Sequence, residues 1–199
     1  FERRVRLPGK LEPERRGEAL KKYFSEIYQA LVETLKSGEM PIAVVGPGFL
    51  KEEFAKYVSE RLGKVKIQTF TASSGGLSGV REAIRSGVLT KFARENRLLE
   101  EARLVEEFLS RLASEEGLAT YGFEAVERAA RLGAVERMFI VDAMLRRLEP
   151  EERRRFEDLI RLVESKGGKV TVLTGGHEAG EKIMGFGGVV AMLRFKTDY

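Results

Sequence analysis

A chain of 199 residues, 43% hydrophobic and 33% charged, has enough apolar material for the core of one large domain or two small ones. It contains no cysteine, which excludes disulfides and thiolate metal sites, and no apolar run reaches the length of a membrane span. The net charge of +4 is concentrated in residues 1–22, where eight basic side chains face four acidic ones, so the remainder is close to neutral. The chain opens on Phe1 with neither an initiator Met nor a secretory signal, and reads as a piece of a longer protein whose N-terminal part is missing.

In chain order, the alternation Arg4-Val5-Arg6-Leu7 reads as a strand end with arginines on its open face, followed by a turn at Pro8-Gly9-Lys10. Arg3, Arg4, Arg6 and Lys10, with Arg15 and Arg16 behind them, form a basic arm suited to a phosphate backbone; the alternative is a solvated surface strand. Residues 14–36 have Leu20, Phe24, Ile27, Leu31 and Leu35 on one helical face, with Pro13 at the entrance. A strand over 41–45 then turns through Gly46-Pro47-Gly48-Phe49 into a helix over 50–62. A glycine turn between strand and helix is where phosphates often bind. Here Lys51 stands in place of the third glycine of a dinucleotide fingerprint and no Gly-Lys-Ser/Thr follows, so the turn reads as structural. Residues 64–70 read as the next strand, and the turn through Ser73-Ser74-Gly75-Gly76, whose backbone could hydrogen-bond an anion, leads into a helix over 77–85.

The pattern pauses at residues 86–90, which places a domain boundary near 90 and starts a long helix over about 94–113, with Leu98, Ala102, Val105, Leu109 and Leu112 inward. Residues 117–142 pack a turn, a helix, a glycine stop at Gly133 and a β-branched strand over 135–141 into one α/β unit. A helix over 149–165 carries Arg153, Arg154 and Arg155 on what reads as a solvated face. A strand over 169–174, a turn over 175–180, a short helix over 181–184 and a last strand over 188–195 complete an α/β chain.

Several blocks carry a resemblance: Gly46 to Phe49 (GPGF), Ala72 to Gly76 (ASSGG) followed by GVREAIRSG, Tyr121 to Glu136 (YGFEAVERAARLGAVE), and a His177-Glu178-Ala179-Gly180-Glu181 run. Together they cover nearly the whole chain, which resembles the central and C-terminal domains of the archaeal members of the Pelota/Dom34 and class I release-factor family. The resemblance implies a central RNase H-like α/β domain over 1–90, a C-terminal α/β/α sandwich similar to the L7Ae fold over 91–199, and a missing Sm-like N-terminal domain. It further implies a cytoplasmic, monomeric factor of ribosome rescue and mRNA surveillance (no-go decay). Such a factor recognises stalled ribosomes at the A site with a translational GTPase of the EF-1α/Hbs1 type, and promotes subunit dissociation with an ABC-type recycling ATPase. Loop contacts would fall on Pro47, Gly48, Phe49, Ser73, Ser74 and Gly75, contacts to rRNA or mRNA on the arm, and GTPase contacts on Tyr121, Gly122, His177, Glu178 and Glu181.

The release factors of this family hydrolyse peptidyl-tRNA with a Gly-Gly-Gln tip, and no such tripeptide occurs here: the glycine pairs are followed by Leu77, Lys169, His177 and Val189. Rescue without peptide release is therefore the expectation. Two other readings stay open. One is a divalent-metal endoribonuclease, an activity credited to the family but carried by none of these residues: His177 is the only histidine, the central strands lack Asp and Glu, and Asp142 stands isolated at a strand end. No cofactor is expected in these residues, a divalent metal being left to the full protein. The other is an L7Ae-like RNA-binding module, for which residues 119–124, with one acidic charge, lack a basic loop.

Overall fold

The computed structural model describes residues 5, 12–35, 40–63 and 65–197. The chain divides into two units, residues 1–94 and 95–199. Of the basic arm, Arg3, Arg4, Arg6 and Lys10 lie outside the described residues.

In the first unit, Pro in the first turn starts helix α1 (Pro13–Thr34), where its missing N–H costs nothing. The buried Phe24 ring of α1 meets Phe54 and Tyr57 of helix α2 (Leu50–Leu62) at 5.2 and 5.6 Å, which fixes the two helices together. Helix α2 joins strand β1 (Ile42–Gly46) to strand β2 (Ile67–Thr71), which run parallel with Ile42 opposite Ile67 and Gly46 opposite Thr71. Helix α3 (Gly76–Arg85) follows, and Gly87, at φ 79°, breaks it from helix α4 (Val88–Ala113). The long helix thus begins six residues before the expected start at 94. The pause at 86–90 is a two-residue turn, and Phe92 in the first turns of α4 is buried against Phe70 of β2 at 5.5 Å.

In the second unit, four strands stand in the order β3-β6-β4-β5: β3 (Ala119–Tyr121), β4 (Val135–Val141), β5 (Lys169–Leu173) and β6 (Val189–Leu193). Strands β4 and β5 are parallel, and β6 runs antiparallel to both β3 and β4. Side chains of a strand alternate between faces, so β4 sends Met138 and Ile140 to one side and Phe139 and Val141 to the other. Helices α5 (Phe123–Arg131) and α7 (Pro150–Ser165) cover the first side with Val126, Ala130, Phe156 and Leu159. Helices α4 and α8 (Glu178–Met184) cover the second with Val105, Phe108 and Ile183. The result is an α/β/α sandwich, in a mixed α/β chain as expected.

Several boundaries and contacts differ from expectation. In α4 the inward row is Glu101, Leu104, Val105 and Phe108, with Leu109 and Leu112 beside it, while Ala102 is exposed. Helix α8 begins at Glu178 and not at 181, β2 at Ile67 and not at 64, and β6 spans 189–193 and not 188–195. A one-turn helix α6 (Asp142–Leu145) was not foreseen. The arginine triplet is a solvated face as expected, all three side chains being exposed, and from it Arg155 reaches Glu124 at 3.0 Å with its guanidinium over the Phe123 ring while Arg153 donates to the Leu145 carbonyl. Arg194 donates to the carbonyls of Gly133, Lys166 and Gly167, closing the exposed C-terminal ends of α5 and α7.

Two carboxylates hold the C-terminal end of β5, Asp142 from the end of β4 and Glu101 from α4. Asp142 is not isolated: its Oδ1 accepts the Gly175 N–H at 2.8 Å and its Oδ2 meets Arg146 at 2.9 Å. The Gly175 hydrogen bond, with Arg146 after it, holds this carboxyl below the usual carboxylate range against the opposing effect of burial. Glu101, 3% exposed, accepts from Arg97 Nε at 2.8 Å, from the Thr174 N–H at 2.9 Å and from Thr174 Oγ1 at 3.2 Å. Gly180, in the first turn of α8, lets the chain close back on this corner, since a Cβ there would overlap the Thr174 carbonyl oxygen.

Gly180→Ala is therefore expected to lower stability by about 2–3 kcal/mol through overpacking, whereas Gly176→Ala, which meets nothing within 4 Å, changes it little; urea unfolding compares the two. Asp142 has a folded pKa below its unfolded one, so its contribution is full above the unfolded value and is lost as pH falls through the folded one. Asp142→Asn is expected to cost about 1–2 kcal/mol near pH 7, and the gap to wild type should narrow progressively as pH falls below the ordinary carboxylate range, measured in urea titrations across that range.

Candidate functional site

In the first unit, the loops expected to make contacts lie at one end of the sheet. Because β1 and β2 are parallel with Gly46 opposite Thr71, Pro47-Gly48-Phe49 and Ser73-Ser74-Gly75 leave the sheet side by side at its C-terminal edge, where ligands of α/β folds gather. Gly48 takes φ 61°, which turns Phe49 outward until it is 83% exposed. Lys51 is folded underneath, its Nζ donating to the Gly48 carbonyl at 2.6 Å and pairing with Glu52 at 2.9 Å. It braces the turn and is not presented to a phosphate. The Ser73 loop is likewise filled from within. Both carboxylate oxygens of Glu82 accept the Ser73 N–H at 3.0–3.1 Å, and the Ser73 hydroxyl donates to Oε2 at 2.5 Å. An anion held by this backbone would have to displace Glu82. Of the described arm residues, Arg15 is exposed and pairs with Glu12 at 3.0 Å, and Arg16 is half-buried.

In the second unit, the five expected contact residues sit toward one edge of the sandwich but not in one cluster. Tyr121 and Gly122 end β3, while His177 and Glu178 follow β5, so three strand spacings, on the order of 14 Å, separate them across the sheet. Tyr121 is 52% exposed, with its ring against Phe186 at 5.3 Å, and Phe186 in turn meets Phe108 of the core at 5.8 Å. Gly122, at φ 80°, donates to the Val189 carbonyl and starts α5. His177 is half-buried at the N-cap of α8, and its carbonyl accepts the Glu181 N–H at 3.0 Å.

Glu178 is exposed and pairs with Lys182, which also meets Glu106 of α4 at 2.8 Å. The Glu106 bond, then the Glu178 one, raises the Lys182 ammonium above its ordinary pKa. Glu181 stays exposed. Among the described residues no group of three or more His, Cys, Asp or Glu could hold a metal ion. Sequence reasoning missed the Glu101 corner, although an acid inside the inward row of α4 was a readable signal. It also missed Glu82, whose role depends on a loop nine residues away.

Residues 4–94 match the family model described as eRF1 domain 2, and residues 98–197 match the one described as eRF1 domain 3. A protein pelota homolog from Aeropyrum pernix is 39% identical over 192 residues, covering 96% of this chain and 54% of that protein. The homolog from Ignicoccus hospitalis is 39% identical over 196 residues, covering 98% and 55%. The chain thus spans about half the length of the curated relatives it matches. Among solved structures, a model of ribosome-bound archaeal Pelota and ABCE1 is similar at TM-score 0.76 and 33% identity, over 93% of this chain and 51% of that one. Matched in order by both domain models and along almost its whole length by archaeal pelota homologs, the chain belongs to the Pelota/Dom34 branch of the class I release-factor family and carries its central and C-terminal domains.

Proposed function

We propose that the protein containing these domains rescues stalled ribosomes. It enters the A site with a translational GTPase of the EF-1α/Hbs1 type and promotes subunit dissociation with an ABC-type ATPase, leaving peptidyl-tRNA intact. The observation that carries this reading is the missing Gly-Gly-Gln: the only glutamines are Gln29 and Gln68, and neither follows a glycine pair. A family member without that tripeptide lacks the group that positions water at the ester. Likeness to an archaeal Pelota described as ribosome-bound with ABCE1 supports the ribosome and the ATPase as partners. The GTPase and the link to no-go decay are carried over from the family.

On this reading the basic arm meets phosphates of rRNA or mRNA, the Pro47–Phe49 and Ser73–Gly75 loops make further contacts, and the Tyr121 and His177 edge meets the GTPase. The second unit is L7Ae-like in fold but binds protein, since residues 119–124 offer no basic loop. Strands β1 and β2 carry no Asp or Glu, which supports a non-catalytic role for these domains. No helix among the described residues is long and apolar enough to cross a membrane, in keeping with work in the cytoplasm.

In a purified translation system the intact protein is expected to release no peptide from ribosomes halted at a stop codon, yet to split them when the ATPase and ATP are present. Peptide release dependent on the stop codon would refute the assignment. For the arm, about four neutralised phosphates give a log-log salt slope of roughly −3 to −3.6 for ribosome binding. Changing Arg3, Arg4 and Arg6 to Ala should flatten that slope by about one unit per lost contact, whatever the codon, and leave GTPase binding unchanged. An unaltered slope would return the arm to a solvated surface.

A further inference from the structure

Helix α3 carries an apolar arc wider than the part the first unit buries. Gly79 and Ala83 are buried, and a Cβ on Gly79 would overlap the Ser74 carbonyl, so this face lies directly on the loop that ends β2. The adjoining face, centred about 110° further round the helix, holds Leu77, Val80 and Ile84, which are 66%, 37% and 55% exposed. At 3.6 residues per turn these three fall within an arc of about 60°. Val88, just past the turn at Gly87, is also exposed. A single exposed leucine needs no explanation, but aliphatic side chains at i, i+3 and i+7 form the anchor row of a helix that packs against another helix.

The charges beside the row have one sign. Arg81 and Arg85 border it and meet no acidic partner among the described residues, while Glu82, the only acid of α3, is turned away into the Ser73 loop. A nucleic-acid strand would be met by aromatic stacking platforms, and the row contains none.

We propose that the exposed face of α3 docks an amphipathic helix of a protein partner whose aliphatic anchors seat on Leu77, Val80 and Ile84 and whose flanking Asp or Glu side chains meet Arg81 and Arg85. The partner is recognised by shape and charge together: the aliphatic row sets the register, and the arginines exclude basic helices. This surface is separate from the ribosome-rescue reading and stands whether or not that reading holds.

The test uses the whole 199-residue chain and a fluorescein-labelled, three-heptad designed helix with leucine anchors flanked by glutamate, followed by anisotropy. Saturable binding is expected, with protection of the amides of 77–88 from hydrogen exchange. Leu77→Ser combined with Ile84→Ser should weaken binding about a hundredfold, and Arg81→Glu combined with Arg85→Glu at least about tenfold. The arginine variant should also lose the preference for the glutamate-flanked helix over a lysine-flanked one. All four positions are exposed, so circular dichroism should be unchanged, and the exchange measurement on the unmodified chain stands even where a variant misfolds.

The proposal is overturned by any of several results: absence of binding, equal affinity for the lysine-flanked helix, or displacement of the peptide by a short oligouridylate. It is also overturned if sedimentation shows copies of the chain associating through this face, or if the same amides are protected without peptide in the intact gene product.

Discussion

From Met138 onward β4, and β6 along its whole length, have no side facing water, and the second unit is arranged around that constraint. A strand buried on both faces gives up alternation for a nearly unbroken apolar run, as in Val189 to Leu193, all five of which are buried. Each face then needs its own helical layer, which α5 and α7 supply on one side and α4 and α8 on the other. Between two apolar layers, every polar group at a strand end must find a partner within the protein. Glu101 and Asp142 meet this demand at the corner where β4 and β5 end, by accepting the N–H groups of Thr174 and Gly175. The turn that carries His177 is held in place by that corner, and so is the entry to α8.

The first unit solves a similar problem with side chains that fill its own loops. Both of its strand-to-helix turns have the form in which a backbone often holds an anion, and both are occupied: Lys51 binds the carbonyl of Gly48, and Glu82 takes the donors of Ser73. A carboxylate already seated on the N–H and hydroxyl of Ser73 makes that turn poor for a phosphate, because the incoming charge must first expel one of the same sign. What these loops present outward is instead apolar, with Phe49 almost fully exposed and Leu77 beside the second turn. Such a surface favours contact with a macromolecule over capture of a small ion.

Much of the architecture was legible in the residues. Helix α2 and strand β4 fell on their expected spans and α7 came within a residue of its own, because glycine or proline punctuates a clear period next to each. The start of α4 was not legible, since a glycine at φ 79° separates two helices and lets the second begin at the very next residue. The expected heptad put Ala102 inward and left Glu101 out, for a rule that counts only apolar residues cannot register an acid buried by its hydrogen bonds. The candidate site was legible as a set of motifs and not as an arrangement. Tyr121 and His177 both read as turn residues in the sequence; that Tyr121 ends a strand, and that the order β3-β6-β4-β5 sets the two three strands apart along the same end of the sheet, only the structure decides.

The sequence by itself determined the α/β class, the absence of disulfides, the missing Gly-Gly-Gln and the family, because each is written in composition, local periodicity or contiguous motifs. Tertiary structure alone decided which charges are free and which are spent. Nothing along the chain assigns partners to Glu82, Lys51, Arg155 and Asp142, yet each is committed to one in the fold. Arg81 and Arg85 have the same appearance in sequence and meet no acidic partner among the described residues, beside an exposed aliphatic row. The physical reason is that a hydrogen bond depends on the distance between two groups in space, and that distance is set by strand order and helix packing, not by separation along the chain.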